Sequence, residues 1–140
     1  MTTIRQAGQD DLATITTLLN YFGFSYDSKS YDEFYLAEDN SSPIGIIQYE
    51  AYPDFYFLSS LGVIKQNQGH NIGSQLINKV VNKNDKNIYL FTIIPEFFKK
   101  FGFSHIPNPP SHVLNLKNPK ECVECQPDKC VCMVKRKEKQ

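Results

Sequence analysis

The chain has 140 residues, 41% of them hydrophobic and 21% charged, which describes one ordinary globular domain and excludes a disordered chain. Its formal net charge is zero, which argues against a nucleic-acid partner gripped through phosphates, and no stretch approaches the roughly 20 apolar residues that cross a membrane. Met1-Thr2-Thr3-Ile4-Arg5 lacks a signal-peptide core, so a cytoplasmic location is expected, and with all four cysteines between Cys122 and Cys132 this is no disulfide-dense secreted scaffold.

Thr3 to Ala7 reads as an opening strand, followed by an acidic helix start at Asp10 and Asp11, which suit the positive end of a helix. Leu12, Ile15, Leu18, Leu19 and Phe22 recur at helical spacing, and Gly23 stops that helix. Tyr26 to Asp32 has no clear period and fits a loop or a short helix equally. From Phe34 the period changes to that of strands: Phe34 to Glu38, then Ile44 to Glu50, separated by the turn cluster Asp39-Asn40-Ser41-Ser42-Pro43. A third run spans Phe55 to Val63. A polar loop, a helix from Ile72 to Val81 and a strand from Asn87 to Thr92 follow. Pro95 opens a last short helix that closes at Phe101-Gly102. The expected order is β-α-β-β-β-α-β-α in one domain over residues 1–106, with residues 107–140 a C-terminal Cys-rich and basic extension. Val134-Lys135-Arg136-Lys137-Glu138-Lys139 reads as a solvated terminus.

The segment Gln68-Gly69-His70-Asn71-Ile72-Gly73-Ser74-Gln75-Leu76 joins a strand to an apolar helix through small residues. Such a junction gathers unpaired backbone N–H groups at a helix N-terminus, which suits a phosphate. Glycines at 69 and 73 let the backbone approach a ligand closely. As a loop with two glycines it fits an ordinary strand-to-helix turn equally well.

In its sequence context the segment resembles the coenzyme A pyrophosphate loop of GNAT acetyltransferases: Gln68 takes the first place of that pattern, Asn71 stands where a glycine is usual, and Gly73 takes the last. Leu58-Ser59-Ser60-Leu61-Gly62-Val63 resembles the family's fourth strand, and Phe97-Phe98-Lys99-Lys100-Phe101-Gly102-Phe103 its late helix-to-strand motif. Ile4-Arg5 with Asp10-Asp11-Leu12, and Tyr35-Leu36-Ala37-Glu38 before a turn, fit its first two elements, so the resemblance covers residues 1–106. It implies an α/β fold with a central, mostly antiparallel sheet flanked by helices, and acetyl-CoA as cosubstrate. It implies cofactor contacts from Leu61, Gly62, Val63, Gln68, Gly69, His70, Asn71, Ile72, Gly73 and Ser74. Asparagine tolerates a left-handed backbone better than other residues with a side chain, so the loop conformation is expected to survive at Asn71.

The resemblance places no strong base: the positions that often carry one are Ser59 and Phe57, and the usual thiolate-protonating tyrosine falls on Phe98. Glu50 and Ser59 are the candidate catalytic residues, with Tyr56 also considered and Asp54 and Glu38 ranked lower. A lysine amine, with a pKa of about 10.4, is less than roughly 0.1% neutral at pH 7, whereas an α-amine at about 7.7–8.0 is neutral roughly a tenth of the time. A weak base therefore favours the α-amine of a small molecule such as an amino acid. Resemblance to the small amino-acid N-acetyltransferases, of the N-acetylglutamate synthase-like and arsenic-resistance types, points the same way. Carboxylate recognition usually falls to arginine, and Arg5 and Arg136 are the only two here. The alternatives are a peptide or protein N-acetyltransferase, a non-catalytic acyl-CoA-binding module, and a metal- or redox-sensing module run by the tail. Cys122, Cys125, Cys130 and Cys132 offer four soft ligands for a structural zinc, with free or redox-active thiols and disulfides as the other readings. The apolar stretch from Phe101 to Ile106 admits pairing of two copies as a homodimer.

Overall fold

The computed structural model of the chain describes residues 2–24, 31–82, 85–114, 116 and 130–137. The elements in chain order are β1 (Thr2–Gln6), α1 (Leu12–Phe22), β2 (Phe34–Asp39), β3 (Ser42–Ala51), β4 (Phe55–Val63), α2 (Ile72–Val81), β5 (Asn87–Thr92), α3 (Pro95–Lys99), β6 (Ser104–His105), α4 (Ser111–Leu114) and β7 (Val131–Lys135). Short 3-10 turns at Gln9–Asp11, Tyr31–Glu33 and Lys65–Asn67 lead into the next elements.

The strands form one sheet in the order β1-β2-β3-β4-β5-β7-β6. Every neighbouring pair is antiparallel except β4 and β5, which run parallel. That mixed sheet with helices on both faces is the expected fold class. Asn40 and Ser41 both hold positive φ, as a tight two-residue hairpin between β2 and β3 requires.

β3 shows how the sheet serves two cores. Consecutive strand side chains point to opposite faces. Ile46 packs with Ile15, Leu18 and Leu19 of α1 and with Phe34 and Leu36, while Ile47 packs with Ile72, Leu76 and Ile77 of α2 and with Leu90. A third apolar cluster joins Phe55, Phe57 and Tyr89 to Val113 of α4 and to Cys132 and Val134 of β7.

Two expectations change in the second half. The sheet takes in β7, from the stretch set apart as an extension, and seats it between β5 and β6. Val134, read as part of a solvated terminus, is buried, because an apolar run of four residues found a vacant strand position beside β5. At the first helix, the acidic start is built on Asp11 rather than Asp10: the Asp11 carboxylate accepts the Gly8 backbone N–H at 2.7 Å and two guanidinium N–H groups of Arg5 at 2.8 Å each.

Candidate functional site

Pairing between β4 and β5 covers only Phe55 to Phe57 against Asn87 to Tyr89. Past that point the two parallel strands part, and α2 follows β4 while α3 follows β5. A cavity of about 500 Å³ lies at the split, lined along β4 by Leu58, Ser59, Ser60 and Leu61 and along β5 by Leu90 to Thr92. Ile93, Ile94, Phe98, Phe24 and Cys130 close its sides, so the walls are mostly apolar, with the hydroxyls of Ser59 and Ser60 on β4, that of Thr92 on β5 and the Cys130 thiol as the polar side-chain groups. A β-bulge shapes that wall: Gln48 pairs with Ser59 and Ile46 with Gly62, so β4 carries one residue more than β3 between the same two pairs. Ser60 sits in the bulge with φ of 53°.

A second hollow, about 230 Å³, adjoins the N-terminus of α2. Val63, Gln68, Gly69, Asn71, Ile72, Gly73 and Ser74 line it, with Phe97 and Lys100 on the far side. Asn71 is the residue before the helix and takes the left-handed conformation, φ 63° and ψ 20°. Gly69 also has positive φ, at 88°, and an added Cβ there would meet nothing within 4 Å, so backbone strain alone calls for glycine. The Gln68 side-chain amide donates to the Val63 carbonyl at 3.1 Å and ties the loop back to the end of β4. The first N–H groups of α2 have no partner within the helix and carry the positive end of its dipole. With the Lys100 ammonium opposite, this hollow suits a polyanion and the neighbouring cavity suits a slender, mostly apolar chain.

The predicted residues divide accordingly. Leu61 lines the cavity, and Val63, Gln68, Gly69, Asn71, Ile72, Gly73 and Ser74 line the hollow. Gly62 and His70 line neither. Gly62 instead admits the ring of Phe22 from α1: a Cβ added there would lie 2.7 Å from a ring carbon. Ser59 lines the cavity, whereas Glu50 stands two pairs further along β3, opposite Phe57 and one pair beyond the lining. The Glu50 carboxylate accepts the Tyr52 hydroxyl, and burial together with that bond pushes the Tyr52 hydroxyl above its ordinary range. Tyr56 turns to the α2 side of the sheet, where it donates to Asp85 at 3.1 Å. Glu38 accepts from Arg5, so Arg5 is held between Glu38 and Asp11 in the first strand. Of the cysteines, Cys130 lines the cavity and Cys132 is buried in the cluster around Phe57 and Val134, while Cys122 and Cys125 lie outside the described residues. Among the described residues no three His, Cys, Asp or Glu gather around a point that would hold a metal ion. Lys100 and Phe24 are site-lining residues that sequence reasoning missed, and Cys130, read there as a metal ligand, lines the cavity. No helix among the described residues is long and apolar enough to cross a membrane.

A sequence profile of the acetyltransferase (GNAT) domain matches residues 30–105, more than half of the chain. A comparison with curated protein sequences returned no match. Among solved structures the chain is similar to N-acetylglutamate synthase from Neisseria gonorrhoeae complexed with coenzyme A and N-acetyl-glutamate, with a TM-score of 0.76 and 18% identity, over 99% of this chain and 36% of the synthase chain. The chain thus spans about a third of that protein's length. It is similar to Arabidopsis thaliana Naa50 in complex with the bisubstrate analogue CoA-Ac-MVNAL, with a TM-score of 0.70 and 22% identity, over 96% of this chain and 97% of that one. A GNAT-family acetyltransferase from Staphylococcus aureus Mu50 aligns over 99% and 100% of the two chains, with a TM-score of 0.68 and 18% identity.

Proposed function

The chain belongs to the acetyltransferase (GNAT) family, and on that premise we propose that it transfers an acetyl group from acetyl-CoA to a primary α-amine. The observation that carries the reading is the adjacency of the two hollows, one anion-suited at the N-terminus of α2 and one apolar at the split of β4 and β5. The residues fit the cosubstrate. Backbone N–H groups from Asn71 to Ser74, with Lys100, hold the pyrophosphate, and Leu58, Leu61, Leu90 and Phe98 enclose the pantetheine arm. Acetyl-CoA supplies an activated carbonyl carbon: the amine nitrogen bonds to it, the C–S bond breaks, and coenzyme A leaves as the thiol after a proton passes from the amine side. Backbone groups on the β5-facing edge of β4 beyond Leu58, where pairing with β5 has ended, polarise that carbonyl in this reading. Ser59 touches the acceptor side of the same cavity. Glu50, held by Tyr52 on the same face as Ser59, serves the proton's exit through water rather than by contact.

The acceptor is either a free amino acid or a chain terminus, and both share the α-amine. The synthase was solved with N-acetyl-glutamate and Naa50 with an analogue carrying a peptide. Capture of a free amino acid's carboxylate by Arg5 is disfavoured, since Asp11 and Glu38 occupy its guanidinium. That observation favours a peptide or an amino-acid amide. A cytoplasmic setting, where acetyl-CoA is present, belongs to the same proposal, as does a GNAT domain that takes in β7 as well as residues 1–106.

Calorimetry with acetyl-CoA, followed by thiol release across amino acids, amino-acid amides and peptides, tests the reading. Saturable binding and release with one of these classes are expected. Absence of binding at millimolar acetyl-CoA would defeat it. Gly73→Asp is expected to abolish binding by putting a carboxylate beside the pyrophosphate while the chain stays folded; undiminished binding would place the pyrophosphate elsewhere.

A further inference from the structure

The bulge in β4 has a chemical consequence that rests on the transfer reading above. Side chains of consecutive strand residues normally face opposite sides of a sheet. At Ser59 and Ser60 the bulge breaks that alternation, and both hydroxyls approach one atom, at the long end of hydrogen-bond distance. Gln48 Oε1 lies 3.4 Å from Ser59 Oγ and 3.5 Å from Ser60 Oγ. Both serines line the cavity at the strand split. Gln48 itself is 4% exposed, and its Nε2 has no hydrogen-bond partner among the described residues. A buried donor left unmade costs stability, and a leucine of similar size at this position of β3, beside Ile46 and Ile47, would avoid that cost. The position is therefore set by something other than packing.

We propose that Gln48 is a positioning residue that fixes the polarity of the two serines toward the acceptor. A serine hydroxyl has one proton and two lone pairs. With the protons of Ser59 and Ser60 directed at Gln48 Oε1, only oxygen lone pairs face the cavity. They accept the N–H bonds of the incoming amine, and the nitrogen's own lone pair stays directed at the thioester carbonyl. A serine free to rotate would donate its proton to that nitrogen and tie up the nucleophile. Two serine oxygens match the two N–H groups of a neutral primary amine, so this wall selects a primary over an N-methylated acceptor. The arrangement explains how a cavity without a strong base among its lining residues can still favour attack: it orients the neutral fraction of the amine rather than generating it.

The test uses the full chain and thiol release from acetyl-CoA, with the best amino-acid amide acceptor of a panel and its N-methyl counterpart. Gln48→Leu is expected to lower kcat by about tenfold to a hundredfold, the scale of a misplaced reactant, with the KM for acetyl-CoA within about twofold. Its Tm is expected to stay level or rise, because the unmet donor is gone, and the preference for the primary amine is expected to shrink. Gln48→Glu retains an acceptor for both hydroxyls, so the rate should return as pH rises and the buried carboxyl ionises. Wild-type transfer that Gln48→Leu matches, with the same primary-amine preference, overturns this inference alone. A loss of rate that only follows a fall in Tm, with no rescue by glutamate, overturns it in favour of a purely structural glutamine. If the wild-type chain transfers to no amine of the panel, the transfer reading and this inference fall together.

Discussion

Asn71 holds a left-handed backbone at the entrance to α2, a conformation that costs residues with a side chain roughly 1–2 kcal/mol and asparagine less. Asn71→Gly is therefore expected to bind acetyl-CoA at least as tightly as the natural residue, and Asn71→Val to bind it more weakly and lose about 1–2 kcal/mol of stability. Equal binding by all three in calorimetry would mean that the loop backbone does not set affinity. A second residue with a measurable signature is Asp11. The hydrogen bonds from Arg5, and then the Gly8 N–H, hold its carboxyl at about 2, below its ordinary value. Because the folded value is the lower one, the stabilisation is complete above the unfolded value of about 3.9 and is lost as pH falls through about 2. The Arg5 side chain is 42% exposed, so solvent screening keeps the contribution near about 1 kcal/mol. The Tm of the wild-type chain should fall between pH about 4 and about 2 partly for this reason, and Asp11→Asn should start lower at neutral pH and flatten that part of the curve. A parallel decline in both proteins would assign the acid sensitivity to other groups.

The contact of α1 with β4 turns on the absence of one side chain. Phe22 closes α1 over Gly62, and an added methyl would meet three ring carbons at 2.7 to 2.8 Å. Gly62→Ala is expected to cost about 1–3 kcal/mol by overpacking, and Phe22→Leu in the same chain to restore part of it. Denaturant unfolding of the single and double variants checks this, and additive losses would show that the two residues do not interfere. The elements concerned were legible in the sequence because their patterns are long: α1 and α2 each repeat an apolar stripe over about three turns, and β2 to β5 carry runs with turn clusters between them. The phosphate-suited loop was legible for the same local reason, since glycine and asparagine mark positive φ. What could not be read was long-range. The reach of Gln48 to two serines depends on a bulge that no spacing reveals. Lys100, just past α3, shares a hollow with the start of α2, about thirty residues earlier, only through the tertiary fold. Glu50, a sensible carboxylate at a strand end, proves to stand one pair beyond the cavity.

At the scale of the molecule, the sheet is completed by residues distant from the family motif. β7 occupies the edge of β5 over five pairs, from Ile88 with Lys135 to Thr92 with Val131, and is the partner of β6. Sequence patterns missed it because β6 has two residues and β7 five, too short for a period to stand out. Met133 is fully buried between the β5 side and the helices on its face, and Cys132 is buried on the opposite face. The strand should therefore behave as part of the core. Met133→Ala is expected to cost about 2–5 kcal/mol, the range for emptying a buried site of that size. A chain ending after Ile106 would leave the backbone of β5 unpaired along one edge, expose both apolar faces that β7 covers, and remove the partner of β6. Such a chain is expected to lose its cooperative thermal transition and, with it, acetyl-CoA binding, because β5 forms one wall of the split. Thiol alkylation read by mass spectrometry gives an independent check on the intact chain: Cys132 should react only when denaturant opens the sheet. Labelling of Cys132 under native conditions, together with an unchanged Tm on truncation, would show that β7 adds nothing to the fold. Protection of Cys132 with a large loss of Tm on truncation would make the late strand an integral part of the fold that carries the proposed acetyl-CoA site.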